Sequence, residues 1–272
     1  MTGEVIENLR RLDRPVVAQY LSWISGAVRG DFGVSLAART SVTDLIQSRL
    51  VNSVVLLVLA AGIAIPVSIA LGSYTAMRAG SRTDRAVLTS GLVVNAIPEF
   101  VIGMVLIILF STTVFHLLPA VSLIPAGQFP LTRPKELVLP VATLVIATVP
   151  YLYRLVRASM MDVLASDYVQ MARLKGIPTS LVMRRHALPN ALVPTIQASA
   201  LVMAYLLGGT VVIEYLFRYP GLGSTLSEAI SNRDLPVIQA VVLIFASGVV
   251  MLNLLADLLT VLVTPRLREA ST

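Results

Sequence analysis

Apolar residues run along this chain in stretches longer than a soluble helix needs. Val51 to Met77 contains no charged side chain. A helix rises ~1.5 Å per residue, and ~20 residues cross the hydrocarbon core of a bilayer. The pattern therefore predicts a membrane span there. Further spans are predicted over about 90–115, which contains Pro98 and Glu99, and over Leu137–Tyr153, Asn190–Ile213 and Val237–Val263. The runs lack the short strand or helix periodicity of a soluble core. The expected fold is an all-α integral membrane protein, a polytopic helical bundle with five visible transmembrane helices.

Ahead of the first span, Val17, Tyr20, Leu21, Ile24 and Val28 fall on one face of a predicted amphipathic helix. Tyr20 and Trp23 suit a membrane–water interface. The same segment carries Arg10, Arg11, Arg14 and Arg29, and no signal peptide precedes it. A free basic tail is poorly suited to unaided export, so a further span is expected upstream of Met1. The expected organisation is an external amphipathic segment over 1–50, a membrane domain over 51–265, and a tail over 266–272. No internal repeat or low-complexity linker divides it.

Composition narrows the class. Of 272 residues, 56% are hydrophobic and 13% charged, and the mean hydropathy is +0.82, far from a soluble globular domain. The absence of cysteine removes disulfides and cysteine metal sites. A net charge of +6 would suggest nucleic acid in a soluble chain. Here the basic residues sit at span ends and accompany no nucleic-acid motif, so no nucleic-acid partner is expected; the bilayer is the surrounding partner.

Their distribution sets the expected orientation. One side holds Arg78, Arg82, Arg85, Arg154, Arg157, Arg173, Lys175, Arg184, Arg185, Arg266 and Arg268. The other holds only Arg39, Arg49, Arg133, Lys135, Arg218 and Arg233. The richer side is the expected cytoplasmic side.

Between the third and fourth spans lies the hairpin of residues 164–189, with the string "ARLKGIPTSLVMRRHALP". Ser166 or Asp167 can cap a helix beginning near Tyr168, and Gly176 can end it in the left-handed conformation. Pro178 blocks continuation, and Thr179 can cap a second short helix through about His186. Val169, Met171, Ala172, Leu181, Val182 and Met183 offer apolar contacts; Arg173, Lys175, Arg184 and Arg185 offer charge. Such an ordered hairpin fits a protein docking surface or acidic lipid headgroups.

A resemblance decides between them. The hairpin resembles the cytoplasmic EAA loop of the permeases of ATP-binding-cassette (ABC) importers. That pattern is Glu-Ala-Ala, three residues, Gly, nine residues, Ile, one residue, Leu-Pro. Here Gln170, Met171 and Ala172 precede Gly176 by the same spacing, and His186, Ala187, Leu188 and Pro189 follow at the same spacing. Gln170 and Met171 depart from Glu-Ala, and His186 from Ile. The strings "DYVQMARLKG", "QYLSWISGAVRGDFGVSL", "YPGLGSTLSEAI", "RDLPVIQAVVL" and "LNLLADLLTVLVTPRLR" are similar to the dipeptide/oligopeptide/nickel branch. The likeness covers nearly the whole chain.

The resemblance implies the type I importer permease fold, usually with six spans, the first before a long external loop. It implies half of a translocation path for peptides, paired with a second homologous permease. It further implies two cytoplasmic ATPases that bind ATP and Mg, and an external substrate-binding protein. The chain itself would bind no cofactor and catalyse no reaction. Gln170, Ala172, Arg173, Lys175, Gly176, Arg184, Arg185, Leu188 and Pro189 would form the surface that couples to the ATPase.

The remaining chemistry is sparse. No G-x-x-x-x-G-K-[ST], G-x-S-x-G or H-E-x-x-H string occurs. Gly221-Leu222-Gly223 reads as an external turn, and His116 and His186 are expected on opposite faces. Glu99, Glu214 and Asp257 are the ionisable groups in or near spans, where acids face a protein interior or an aqueous path. Glu99 follows a helix-bending proline and could meet a peptide amino group, gate the path, or pair with another subunit. Solvation could explain Glu214 at its span end, and a hydrogen bond to another span could explain Asp257. Asn95 and Asn253 share the ambiguity. The rival reading is a self-contained secondary transporter or channel, for which an inverted repeat would be usual.

Overall fold

The computed structural model describes residues 15–125, 127–182 and 188–263. Among them the chain is helical, with one isolated β-bridge between Val34 and Ser41. Helix α1 (Val16–Val28) buries no residue, and Val17, Tyr20, Leu21 and Val28 of its apolar face are exposed.

Helix α2 (Val42–Met77) starts well before the apolar run. Ser41 provides its extended leading residue, and Asp44 in the first turn complements the positive end of the helix. Its buried Ser53, Leu57, Ala60, Ala64, Ser68, Gly72 and Ala76 recur at about every fourth position. This stripe of mostly small residues packs on α5 (Pro134–Leu164). A Cβ on Gly72 would stand 2.7 Å from the Tyr153 carbonyl oxygen and 2.7 Å from Val156 Cβ. Only glycine permits that approach. α5 has Pro134 at its start, where a missing N–H costs nothing. It continues past the predicted Tyr153 boundary, so Arg154 and Arg157 lie in the helix rather than in a loop.

The span predicted over 90–115 is a broken pair. Helix α3 (Arg82–Asn95) is capped by Ser81, whose Oγ accepts from the Asp84 N–H at 3.1 Å. Helix α4 (Glu99–Ile107) begins after Pro98 and passes into a π-turn over Ile108–Thr112. The two segments meet at 97°. Pro98 cannot donate to the preceding turn and disfavours helical geometry at Ile97, so the chain turns there.

Helices α6 (Asp167–Leu174) and α7 (Thr179–Val182) form the hairpin. Helices α8 (Leu188–Leu216), α9 (Leu222–Ser231) and α10 (Leu235–Val263) complete the bundle. α2, α5 and α10 are long and apolar enough to cross a membrane, and the bent α3–α4 pair makes a possible fourth crossing. α8, with 29 residues, has the length for another. The chain is a multi-pass membrane protein.

The main core lies between α2, α5 and α8, around Leu56, Leu144, Leu152, Leu206, Ile213 and Phe217. A second cluster joins the start of α2 to α9 and α10 through Val42, Ile46, Leu222, Val237 and Val241. On α10, Val250, Met251, Leu254, Leu258 and Leu262 remain exposed on this chain, an apolar face suited to lipid or another subunit.

Candidate functional site

The bend between α3 and α4 opens a cavity of about 710 Å³ beside the middle of α5 and α8. Asn95, Pro98, Glu99, Thr148, Tyr151 and Tyr205 are among its lining residues. Glu99 starts α4 and is half-buried. Its carboxylate lies against Gly209 of α8, where a Cβ would stand 2.7 Å from Oε2. The missing side chain at Gly209 makes that placement possible. Among the described residues Glu99 has no hydrogen-bond or ion-pair partner. Thr148 Oγ1 is buried and also lacks one. Tyr151 and Tyr205 keep much of their surface exposed. Among the described residues no lysine, arginine or histidine lines the cavity. It thus brings together Asn95 and Glu99 of the residues singled out from the sequence.

Glu214 is elsewhere and is not solvated at its span end. It is fully buried, near the far end of α8. Ser53 Oγ donates to its Oε1 at 2.5 Å; the N–H groups of Gly223 and Ser224 donate to its Oε2 at 2.6 and 3.2 Å. These amides open α9, so the acid meets the positive end of that helix. A Cβ on Gly221 would collide with the Glu214 carboxyl group. Ser53 Oγ also accepts from the Leu222 N–H at 2.8 Å. Asn52 donates to the Pro220 carbonyl at 2.7 Å, and Tyr219 donates to the Asn52 carbonyl at 2.7 Å. Gly221-Leu222-Gly223 is thus the cradle of a carboxyl group, which the sequence reading missed. A carboxylate a few residues before a glycine-rich helix start was the available signal.

Asp257 makes no hydrogen bond to another span among the described residues; it is exposed on α10, as is Asn253. The position faces outward because α10 packs its other side on α8.

A second acidic anchor, hidden in the sequence among topology charges, joins α3 to α5. Arg157 Nε and Nη2 donate to Asp84 Oδ1 and Oδ2 at 2.7 and 2.8 Å. The Gly80 N–H donates to Asp84 Oδ2 at 2.8 Å. Beside it, Tyr153 donates to the Val87 carbonyl at 2.8 Å, and its ring lies against Gly91. The Arg78–Arg85 and Arg154–Arg157 clusters therefore share one end of the bundle, as the charge rule requires.

The hairpin extends from that same end. Gly176 has φ +73°, the left-handed conformation expected from its place after α6. Gln170 donates to the Ala165 carbonyl at 3.1 Å. Val169, Ala172 and Val182 turn inward and form the hairpin's own small core. Of the apolar residues expected to make outward contacts, these three are therefore taken. Met171 and Leu181 remain exposed, joined by Tyr168 and by Leu174, which is 83% exposed. Lys175 is exposed, and Leu188 is half-buried at the start of α8. Met183, Arg184, Arg185 and His186 lie outside the described residues, as do the side chains of Arg173 and Pro189. No group of three or more His, Cys, Asp or Glu side chains converges as a metal site among the described residues.

Among the described residues an all-α membrane bundle thus combines a bent helix pair, a cavity at its bend and a helix–turn–helix hairpin. Residues 68–269 match the family described as "binding-protein-dependent transport system inner membrane component", and the chain belongs to that family. It is similar to a probable peptide ABC transporter permease protein, y4tP, of Sinorhizobium fredii. That relative is 34% identical, over 98% of this chain and 86% of its own length. The oligopeptide transport system permease protein AppB of Bacillus subtilis is 36% identical over 94% of this chain and 82% of its own. The glutathione transport system permease protein GsiC of Escherichia coli K12 is 35% identical over 98% and 85%. A crystal structure of an amino acid ABC transporter with histidines shares the fold at a TM-score of 0.57. The match covers 80% of this chain and 94% of that one, with 17% identity.

Proposed function

We propose that this chain is a permease subunit of an ATP-driven peptide importer in the cytoplasmic membrane of a prokaryote. It forms half of the translocation path with a second, homologous permease, and two cytoplasmic ATPases drive it. An extracytoplasmic binding protein delivers the peptide. The peptide assignment is supported by relatives whose names specify peptides, oligopeptides and glutathione at about one-third identity over nearly the whole chain.

The structural observation that carries the mechanism is the α6–Gly176–α7 hairpin. It hangs from the ends of α5 and α8, the helices that frame the cavity. α5 has 31 residues, a lever of ~46 Å. A push on the hairpin is thereby transmitted along packed helices to the cavity, as alternating access requires. Tyr168, Met171, Leu174 and Leu181 supply its exposed apolar contacts; Arg173, Lys175, Arg184 and Arg185 supply positive charge for an acidic rim on the ATPase. Residues 1–50 lie outside, 51–265 form the membrane domain, and 266–272 lie in the cytoplasm. The chain performs no bond chemistry; ATP and Mg act in the ATPases.

The test is uptake into vesicles reconstituted with both permeases, the ATPases and the binding protein. Peptide uptake should require ATP and every component, and should survive collapse of ion gradients. Uptake driven by an ion gradient without the ATPases would favour a secondary transporter and overturn the proposal. Orientation is checked in this cysteine-free chain with Leu174→Cys and Leu123→Cys, both at exposed positions. The first should react only from the cytoplasm and the second only from outside.

A further inference from the structure

The cavity at the α3–α4 bend has a chemistry that selects one end of a peptide. We propose that it is an ammonium-binding subsite, in which Glu99 receives the free α-amino group of the peptide in transit. The inference rests on the peptide-importer reading above and assigns a binding residue within it.

Four observations converge. Glu99 is the only charged residue lining the cavity among the described residues. It has no hydrogen-bond or ion-pair partner among the described residues, so its carboxylate is available to a ligand. Gly209 leaves the room that places this carboxylate against α8. Thr148 Oγ1, buried at 4% exposure, is left without a partner among the described residues in the same cavity. An intramembrane acid with no internal partner is costly unless a path or a ligand serves it.

The rest of the lining matches a cation. Tyr151 and Tyr205 offer π faces, which attract ammonium groups. Asn95 and Thr148 offer neutral oxygen acceptors for the remaining N–H groups. Among the described lining residues nothing neutralises a carboxylate or phosphate, since none carries a cationic side chain. The cavity therefore favours the amino end of a peptide and repels the carboxyl end. Its volume of about 710 Å³ lies within the range of small-ligand sites, ~300–1,000 Å³, and suits a few residues of peptide.

The test uses the assembled permease–ATPase complex in lipid nanodiscs, without binding protein, so that the binding protein's own preference is absent. The probes are a labelled tripeptide with no basic side chain and its N-acetylated form. The wild type should bind the free amine about tenfold more tightly, the ratio that one charge-assisted hydrogen bond supports. Glu99→Gln should abolish the difference by weakening only the free-amine form, and Glu99→Asp should keep part of it. Gly209→Ala, whose new Cβ displaces the carboxylate, should also reduce the preference. Equal binding of both probes by the wild type would overturn the proposal without any variant. So would preference undiminished in Glu99→Gln, or loss of the assembled complex in Glu99→Gln, which would mark a pairing with the second permease. A parallel uptake assay with binding protein separates the two readings. Wild type that transports the tripeptide but shows no amine preference refutes this subsite alone. Wild type that transports no peptide refutes the importer reading and this one together.

Discussion

Replacing Ser53 with alanine should destabilise the fold far more than an internal serine in an apolar helix would suggest. Its hydroxyl donates to Glu214 Oε1 at 2.5 Å and accepts from the Leu222 N–H at 2.8 Å. Ser53, Glu214 and Leu222 are all buried, so water cannot substitute for the lost oxygen. Alanine orphans the Leu222 N–H and strips Oε1 of its donor. A buried unsatisfied group costs about 1–3 kcal/mol, and two give about 2–6 kcal/mol. Glu214→Gln is milder. The amide oxygen can still accept from Gly223 and Ser224, while its NH₂ can donate to the free lone pair of Ser53. Only the Ser53 proton loses its acceptor, for about 1–2 kcal/mol. Glu214→Ala removes the acceptor for all three donors and leaves a cavity, so it should cost most, about 4 kcal/mol or more. The assay is equilibrium unfolding of the purified chain in mixed micelles, with each variant compared to wild type. A loss below about 0.5 kcal/mol in Ser53→Ala, or a greater loss in Glu214→Gln than in Ser53→Ala, would refute the hydrogen-bond reasoning.

Three further outcomes are expected. Arg157→Met leaves the buried Asp84 carboxylate without its bidentate partner and should cost about 3–5 kcal/mol in the same assay, whereas Asp84→Leu with Arg157→Met should recover most of it; a single-variant loss under 1 kcal/mol would contradict this. Gly91→Val should drive its side chain into the Tyr153 ring and unseat α3 from α5, which cysteine cross-linking between the two helices would report as a lost cross-link. Asp234 ties the loop ahead of α2 to the start of α10: burial pushes its pKa upward, but donation from Ser35 Oγ and from the Leu36, Ala37 and Val237 N–H groups outweighs it, so the pKa stays below the ordinary 3.8. The stability advantage over Asp234→Asn should therefore be full above pH 3.8 and fade as the pH falls through the lower folded value; an advantage that grows on acidification would have the opposite sign.

What the sequence made legible, it did through local signals. The apolar runs located α2, α5 and α10, and Gly176 with Pro178 marked the hairpin turn. Pro98 marked an interruption, but the size of the bend depends on α4 packing against α5 and α8, which no local pattern encodes. The buried anchors were invisible for the same reason. Asn52 and Ser53 sit beside an apolar run, and their partners Pro220 and Glu214 lie more than 160 positions away. Arg157 looked like a loop charge because its partner Asp84 precedes it by 73 positions. The inward turn of Val169, Ala172 and Val182 could be seen only once α6 and α7 were folded on one another. At the cavity, Glu99 and Asn95 stood out as polar residues in an apolar setting, whereas Gly209, which gives Glu99 its place, carried no signal of its own.

The account turns on whether the hairpin couples ATP hydrolysis to transport, and Gly176→Val tests this most directly. Among the described residues a Cβ at Gly176 meets nothing within 4 Å, so within this chain the substitution acts through the backbone. Forcing a β-branched residue to φ +73° costs ~1–2 kcal/mol or shifts the turn and misaims α6 and α7. Measured in reconstituted vesicles, the variant should remain in the membrane, co-purify poorly with the ATPases and lose ATP-driven peptide uptake. Normal association with the ATPases together with normal substrate-stimulated ATP hydrolysis and uptake would contradict the account.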